Sequence, residues 1–168
     1  MAVSERNPTA EVSFDEVVGR ADPSMWIVTT VAGDLRAGCV VGFATQTSIE
    51  PRRFLVCLSK ANHTYRIAER ARYLAVHLLT TDTASLAELF GSETGSRIDK
   101  FEHCEWHEGP HSLPILTATT GWLTGEILQR NDFGDHVGYL LTPTFAHAPA
   151  VRTAPLRYKT VADLPTGH

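Results

Sequence analysis

Met25-Trp26-Ile27-Val28-Thr29-Thr30-Val31, followed by Ala32-Gly33-Asp34, sets the texture of the whole chain. The run is β-branched and aromatic, and the Gly-containing triplet is a turn signal, so it reads as a strand entering a hairpin. Outward from it, residues 35–47 read as a second strand, interrupted by Gly38 and Gly42. Glycine inside a strand marks a bulge or a close approach to the backbone. Pro51-Arg52-Arg53 turns the chain into a third strand at 54–58. A helix is expected over 62–70, a strand over 73–79, and a helix over 82–90 stopped by Gly91. Residues 91–114 read as loop with one helical turn near 97–101. Two long strands, 116–129 and 136–147, follow. Helices inserted between strands, rather than alternating with them, disfavour a doubly wound parallel sheet. The expectation is a mainly β fold with short helices: a small, largely antiparallel barrel in a single domain.

Upstream, residues 1–12 are polar and aperiodic and read as a flexible N-terminal arm. Ser13-Phe14-Asp15-Glu16 has the S-x-x-E capping-box pattern and opens a short helix to about Arg20. The domain is placed at 13–148, and residues 149–168 read as a peripheral C-terminal tail.

The chain has 168 residues, 15 basic and 19 acidic side chains, and a net charge of −4. That length corresponds to one domain able to bury about two-thirds of its unfolded surface without disulfides or metal. The acidic balance argues against nucleic acid as a partner. No apolar run approaches the roughly 20 residues of a membrane span, and no signal-type h-region begins the chain. The three cysteines are an odd number, and Cys39 and Cys57 sit in apolar strands as small hydrophobes. Together these favour a reducing, cytoplasmic location.

Three places carry chemistry. Leu58-Ser59-Lys60-Ala61-Asn62-His63-Thr64-Tyr65-Arg66 runs from a strand through a polar loop into a helix start. Helix N-termini offer unpaired N–H groups, so the loop is a candidate anion site, with simple N-capping by Asn62 or Thr64 as the alternative. Gly134-Asp135-His136 places a histidine just after a hairpin tip, to orient a ligand, move a proton, or satisfy the turn. Cys104-x-x-His107-x-x-x-His111, with His103, has zinc-like spacing but lacks a fourth ligand, so no metal is expected. A Rossmann fingerprint, a P-loop, H-E-x-x-H and G-x-S-x-G are all missing from the sequence.

Taken in order, these pieces resemble the flavin reductase family, with its FMN-binding split β-barrel. The resemblance rests on residues 25–30, Ala37-Gly38-Cys39-Val40-Val41, and Thr45-Gln46-Thr47-Ser48-Ile49-Glu50-Pro51. It continues through residues 54–58, Asn62-His63-Thr64, Tyr73-Leu74-Ala75-Val76-His77, Asp99-Lys100-Phe101 and Gly134-Asp135-His136. It implies a split antiparallel barrel that pairs into a homodimer, with flavin near the interface. Gly42, Phe43, Ala44 and Thr45 would then cradle the ring system, with Gln46, Thr47 and Ser48 reaching the ribityl chain or phosphate. The loop containing Ser59, Lys60, Asn62, His63 and Thr64 would take the phosphate. Lys100 and Phe101 would lie near the cofactor, and His136 beside the flavin and nicotinamide rings.

Two departures stand out. Members commonly carry small polar residues where this chain has Gly42-Phe43, so Phe43 either stacks on a ring or packs inside the barrel. Arg52-Arg53 replaces a second proline, adding a cation that either suits FAD or is solvated. The activity implied is NAD(P)H-dependent reduction of FMN or FAD, supplying reduced flavin to an acceptor such as a monooxygenase. Alternatives are a split-barrel oxidoreductase using deazaflavin or tightly bound FMN on another substrate, a non-catalytic flavin- or haem-binding module, and a flavin-free dimer.

Overall fold

The computed structural model describes residues 8–92 and 95–162. Helix α1 (Pro8–Ala21) precedes β1 (Trp26–Ala32), β2 (Leu35–Val41), β3 (Ala44–Ser48) and β4 (Arg53–Ser59). Then come α2 (His63–Ala68), β5 (Tyr73–Leu78), α3 (Ala84–Ser92), β6 (Trp106–Glu108) and β7 (Pro114–Leu116). The chain closes with β8 (Trp122–Asp132), β9 (His136–His147) and α4 (Tyr158–Val161). Among the described residues, β2-β1-β5-β8-β9-β4-β3 form one sheet in that order, and each neighbouring pair is antiparallel.

The strand expected over 35–47 is two strands, and the break between them shapes the molecule. Leaving β2 at Val41, the chain starts β3 at Ala44, yet these strands are the opposite edges of the sheet. Three Cα steps span at most about 11 Å, so the sheet must curl until its two edges nearly meet. That is a split barrel. Gly42 and Phe43 form the crossing, and the Cys57 N–H donates to the Phe43 carbonyl at 2.9 Å, extending the β3–β4 ladder.

Alternation fills the barrel. Along β4, Phe54, Val56 and Leu58 turn inward while their neighbours are half-exposed. They meet Val28, Cys39, Leu74, Val76, Tyr139 and Leu141 in the interior. Strand β1 is buried at four successive positions, 27–30, because it is covered on both faces. Its outer face packs Ile27 against Leu79, Phe90, Phe101, Leu116 and Leu156. The interruption at Gly38 serves this outer layer: a Cβ there would lie 2.7 Å from the Phe90 ring.

Several sequence expectations are corrected. Helix α1 covers Pro8–Ala21, so the chain is already helical ahead of the expected Ser13 cap. Residues 1–7 of the expected arm lie outside the described residues. The strand expected from 116 begins at Trp122, and Pro114–Leu116 instead pairs with β6 as a ribbon. Helix α3 runs one residue past Gly91. Within the described part of the tail placed at 149–168, the chain is not peripheral around Leu156, which is 1% exposed. Its N–H donates to the Leu79 carbonyl at 2.9 Å, and its own carbonyl accepts from Met25 N at 2.9 Å. Among the described residues, no helix is long and apolar enough to cross a membrane.

Candidate functional site

The β8–β9 hairpin tip builds one side of the site. Asp132 Oδ1 accepts from Gly134 N at 3.0 Å, and Phe133 N donates to the His136 carbonyl at 3.0 Å. Gly134 sits at φ +129°, a value that L side chains rarely adopt. The tight tip starts β9 at His136, which register places opposite Ser59 at the end of β4. Asp135 Oδ1 lies 2.7 Å from His136 Nδ1. A carboxylate there keeps the proton on Nδ1 and leaves Nε2 as the nitrogen turned to other partners. The hydrogen bond from His136 in turn holds the Asp135 carboxyl below its ordinary range.

Across the barrel crossing, Phe43 is 58% exposed, which rules out the interior alternative. Its ring lies 4.9 Å from that of His136, tilted by 55°. Thr45, Gln46 and Thr47 of β3 are exposed, with Ala44 and Ser48 partly so, on a strand whose outer edge pairs with no strand among the described residues. Thr45 Oγ1 donates to the Gln46 carbonyl and Gln46 Nε2 to the Ser48 carbonyl, so part of this polarity is used locally.

The 59–64 loop is pinned to the hairpin tip. Lys60 N donates to the Asp135 carbonyl at 2.9 Å, and Lys60 Nζ reaches Asp132 Oδ2 at 2.7 Å. That lysine bond, with the Gly134 N–H, lowers the Asp132 pKa. Asn62 caps α2, its Oδ1 accepting from Thr64 N at 3.0 Å, while Ser59 Oγ accepts from Ala61 N. The capping alternative is therefore realised, and Lys60, Asn62 and Ser59 remain partly accessible beside it. Thr64 differs. It is 1% exposed and its side chain is hydrogen-bonded to Cys39, whose thiol burial pushes up to about 11.

His63, Lys100 and Phe101 gather elsewhere, around a cleft of about 210 Å³ that Arg36, Gly38, Gly95 and Asp99 also line. Burial, then the charges of Arg66 and Lys100, lower the His63 pKa. Lys100 is 4% exposed, and its Nζ donates to the carbonyls of Gly38 (3.1 Å) and Phe90 (2.9 Å). Phe101 is buried against Phe90 and Trp106. The sequence-predicted residues thus form two groups: Phe43, Ser59, Lys60 and His136 at the barrel crossing, and His63 with Lys100 and Phe101 at the second cleft. Asp132, which positions Lys60, was not singled out, and Asp135, which positions His136, was named only within the Gly134-Asp135-His136 motif. Arg36, stacked 4.7 Å from the Trp106 ring, was also missed, since only the fold brings β2 beside β6.

The loop histidines scatter. His111 stacks on Tyr73 at 3.7 Å and contacts Thr144, while Cys104 Sγ donates to the Lys100 carbonyl. Among the described residues, no three His, Cys, Asp or Glu side chains converge as ligands for one ion. Arg53, from the second departure, donates to Thr142 Oγ1 at 3.1 Å.

Comparison with known proteins gives the lineage. The model of the flavin reductase like domain matches residues 19–160. The reductase subunit HsaB of a flavin-dependent monooxygenase from Rhodococcus jostii is 32% identical over 127 residues. That alignment covers 73% of this chain but only 62% of the relative. The reductase component of a 4-nitrophenol monooxygenase from Rhodococcus opacus is 28% identical, with 77% and 68% covered. A flavin reductase domain protein from Arthrobacter sp. FB24 superposes with a TM-score of 0.78 at 23% identity, over 94% of this chain and 92% of that one. At that identity the superposition speaks for the fold. With the family model spanning most of the chain and the split barrel independently in place, this protein belongs to the flavin reductase like domain family.

Proposed function

We propose that the chain is an NAD(P)H-dependent flavin reductase that takes FMN or FAD and passes reduced flavin to an acceptor such as a monooxygenase. The observation that carries the reading is the exposed Phe43 ring against His136, with the polar 59–64 loop beside it through the Ser59–His136 register. These residues fit a flavin: an accessible aromatic face, a β3 edge that pairs with no strand among the described residues, and a loop holding Lys60, Asn62 and Ser59. When bound, the flavin supplies the hydride-accepting ring, and the redox chemistry belongs to it and to the nicotinamide.

The protein's part is alignment. Phe43 offers a flat apolar surface for stacking, and the β3 edge offers main-chain donors and acceptors to a heteroaromatic rim. His136, its Nδ1 held by Asp135, keeps Nε2 to position the incoming nicotinamide. Lys60 gives the phosphate a cation already oriented by Asp132. The relatives that are reductase components support a monooxygenase as acceptor.

A homodimer accompanies this reading. Val12, Phe14, Val17 and Val18 of α1 are 45–70% exposed, an apolar face that a second copy would cover. Free thiols at Cys39, Cys57 and Cys104 and a nicotinamide co-substrate suit the cytoplasm.

The test is oxidation of NADH and NADPH by the purified protein without oxygen, with and without added FMN or FAD. Turnover that requires added flavin supports the reductase, and the fastest pair gives both specificities. Flavin binding without turnover for any pair overturns it in favour of a carrier.

A further inference from the structure

Another cleft, of about 620 Å³ and distinct from the one beside Lys100, lies at the far end of the β8–β9 hairpin. Its lining includes His107, Thr119, Trp122, His147, Pro149 and Val151. Register places Trp122 opposite His147, whereas His136 begins β9 at the other end of its 12 residues. At the usual strand rise the two ends are roughly 35 Å apart along the strand, so this cleft is separate from the Phe43–His136 site.

The cleft is built rather than accidental. One wall is aromatic, with the Trp122 and His147 rings 6.1 Å apart and inclined by only 29°. The opposite wall is the segment 149–153, held at both ends. Pro149 Cδ would sit 3.4 Å from a Cβ placed on Gly121, and beyond the segment Thr81 N donates to the Ala154 carbonyl at 3.1 Å. Pro155 forms a bridge with Thr80, and Leu156 is buried in the core. Threonines 117, 120 and 153 also line the cleft, while Thr119 is buried with its hydroxyl donating to the Leu116 carbonyl at 2.8 Å. Among the described lining residues there is no Asp, Glu, Lys or Arg.

We propose that this cleft binds a small neutral aromatic molecule bearing a hydroxyl group. An aromatic wall favours a flat ring by stacking. The imidazoles and threonine hydroxyls offer both donors and acceptors to a phenolic O–H. Absence of fixed charge disfavours ions, and the volume falls within the range of pockets that enclose small ligands.

The test uses phenol as probe, with cyclohexanol as the non-aromatic control, followed by saturation-transfer NMR on the full chain. Val151→Trp fills the mouth from a position that is 76% exposed, so folding is preserved. The expected result is phenol binding that weakens about tenfold or more in Val151→Trp, whose indole takes up volume that the probe needs. It should persist in His136→Ala and in the presence of saturating FMN. Trp122→Leu should weaken it similarly, with the thermal melt checking that the variant is folded. Equal binding of cyclohexanol, or phenol binding untouched by Val151→Trp, overturns the proposal. Displacement of phenol by FMN would instead place the probe in the flavin site, and would overturn it too.

Discussion

The Phe43 ring lies 4.9 Å from the His136 ring, joining the crossing between the two sheet edges to the first residue of β9. One is a flat apolar surface open to solvent; the other has its Nδ1 fixed by Asp135. Their division of labour predicts different losses. Phe43→Ala removes stacking area and should weaken flavin binding about tenfold. His136→Ala should leave flavin affinity within about threefold while lowering kcat/KM for the nicotinamide by about tenfold or more. Fluorescence titration of flavin and steady-state kinetics separate the two. Equal effects of both variants on both quantities would dissolve the distinction.

Thr64 and Lys60 come from the same loop but face different ways. The Thr64 side chain is inside, on Cys39, and its N–H is taken by Asn62. Thr64→Val should therefore lower stability by ~1 kcal/mol, the scale of one hydrogen bond, and leave the ratio of FMN to riboflavin affinity unchanged. Lys60→Ala should reduce that ratio several-fold, because its ammonium is partly exposed and already paired with a carboxylate. Urea unfolding and paired titrations with the two flavins give both readouts. A changed ratio in Thr64→Val would put its hydroxyl back at the phosphate.

Legibility of the fold followed the range of the interactions that make each part. Strand β9 was readable to its ends because turn residues bound it on one side and proline follows it on the other. Strand β4 was readable from the apolar run Phe54-Leu55-Val56-Cys57-Leu58 behind the Pro51-Arg52-Arg53 turn. The break at Gly42-Phe43 was not, because each half has strand texture and only the approach of distant edges divides them. Leu156 was missed since its partners, Met25 and Leu79, are far away in the chain. At the site, His136 and the 59–64 loop carried local signals in hairpin and helix-start patterns. Asp132, which supports Lys60, and Arg36, beside Trp106 at the other cleft, are placed only through tertiary pairing.

Lys100 illustrates a residue whose burial redefines its role. Its ammonium bonds the Gly38 carbonyl in β2 and the Phe90 carbonyl near the end of α3, where a cation also meets the negative pole of a helix. Lys100→Met keeps most of the volume but leaves two buried carbonyls short of a donor. The expected cost is ~2–4 kcal/mol, seen as a lower denaturant midpoint. Flavin affinity, measured well below that midpoint, should change less than threefold. A stable variant with badly impaired flavin binding would instead make Lys100 a direct cofactor ligand.

His77 predicts the acid limit of the fold. It is fully buried, with Nδ1 donating to the Ile27 carbonyl at 3.0 Å and Nε2 accepting from Leu116 N at 3.2 Å. Both ring nitrogens are thus used by the neutral form. Burial lowers its pKa from 6.5 to about 4, against the opposing bond to Ile27 and with a further push from His107. The unfolded chain takes up a proton at this residue below pH 6.5, and the native chain does so only near pH 4. Between those values unfolding gains protons, so stability falls as the pH drops through the window and is unaffected by this group above it. The loss should reach ~2 kcal/mol between pH 7 and pH 5. His77→Gln lowers stability at pH 7 but should flatten that dependence, as read from urea midpoints at the two pH values. A variant that retains the parent's slope would assign the acid sensitivity to another group.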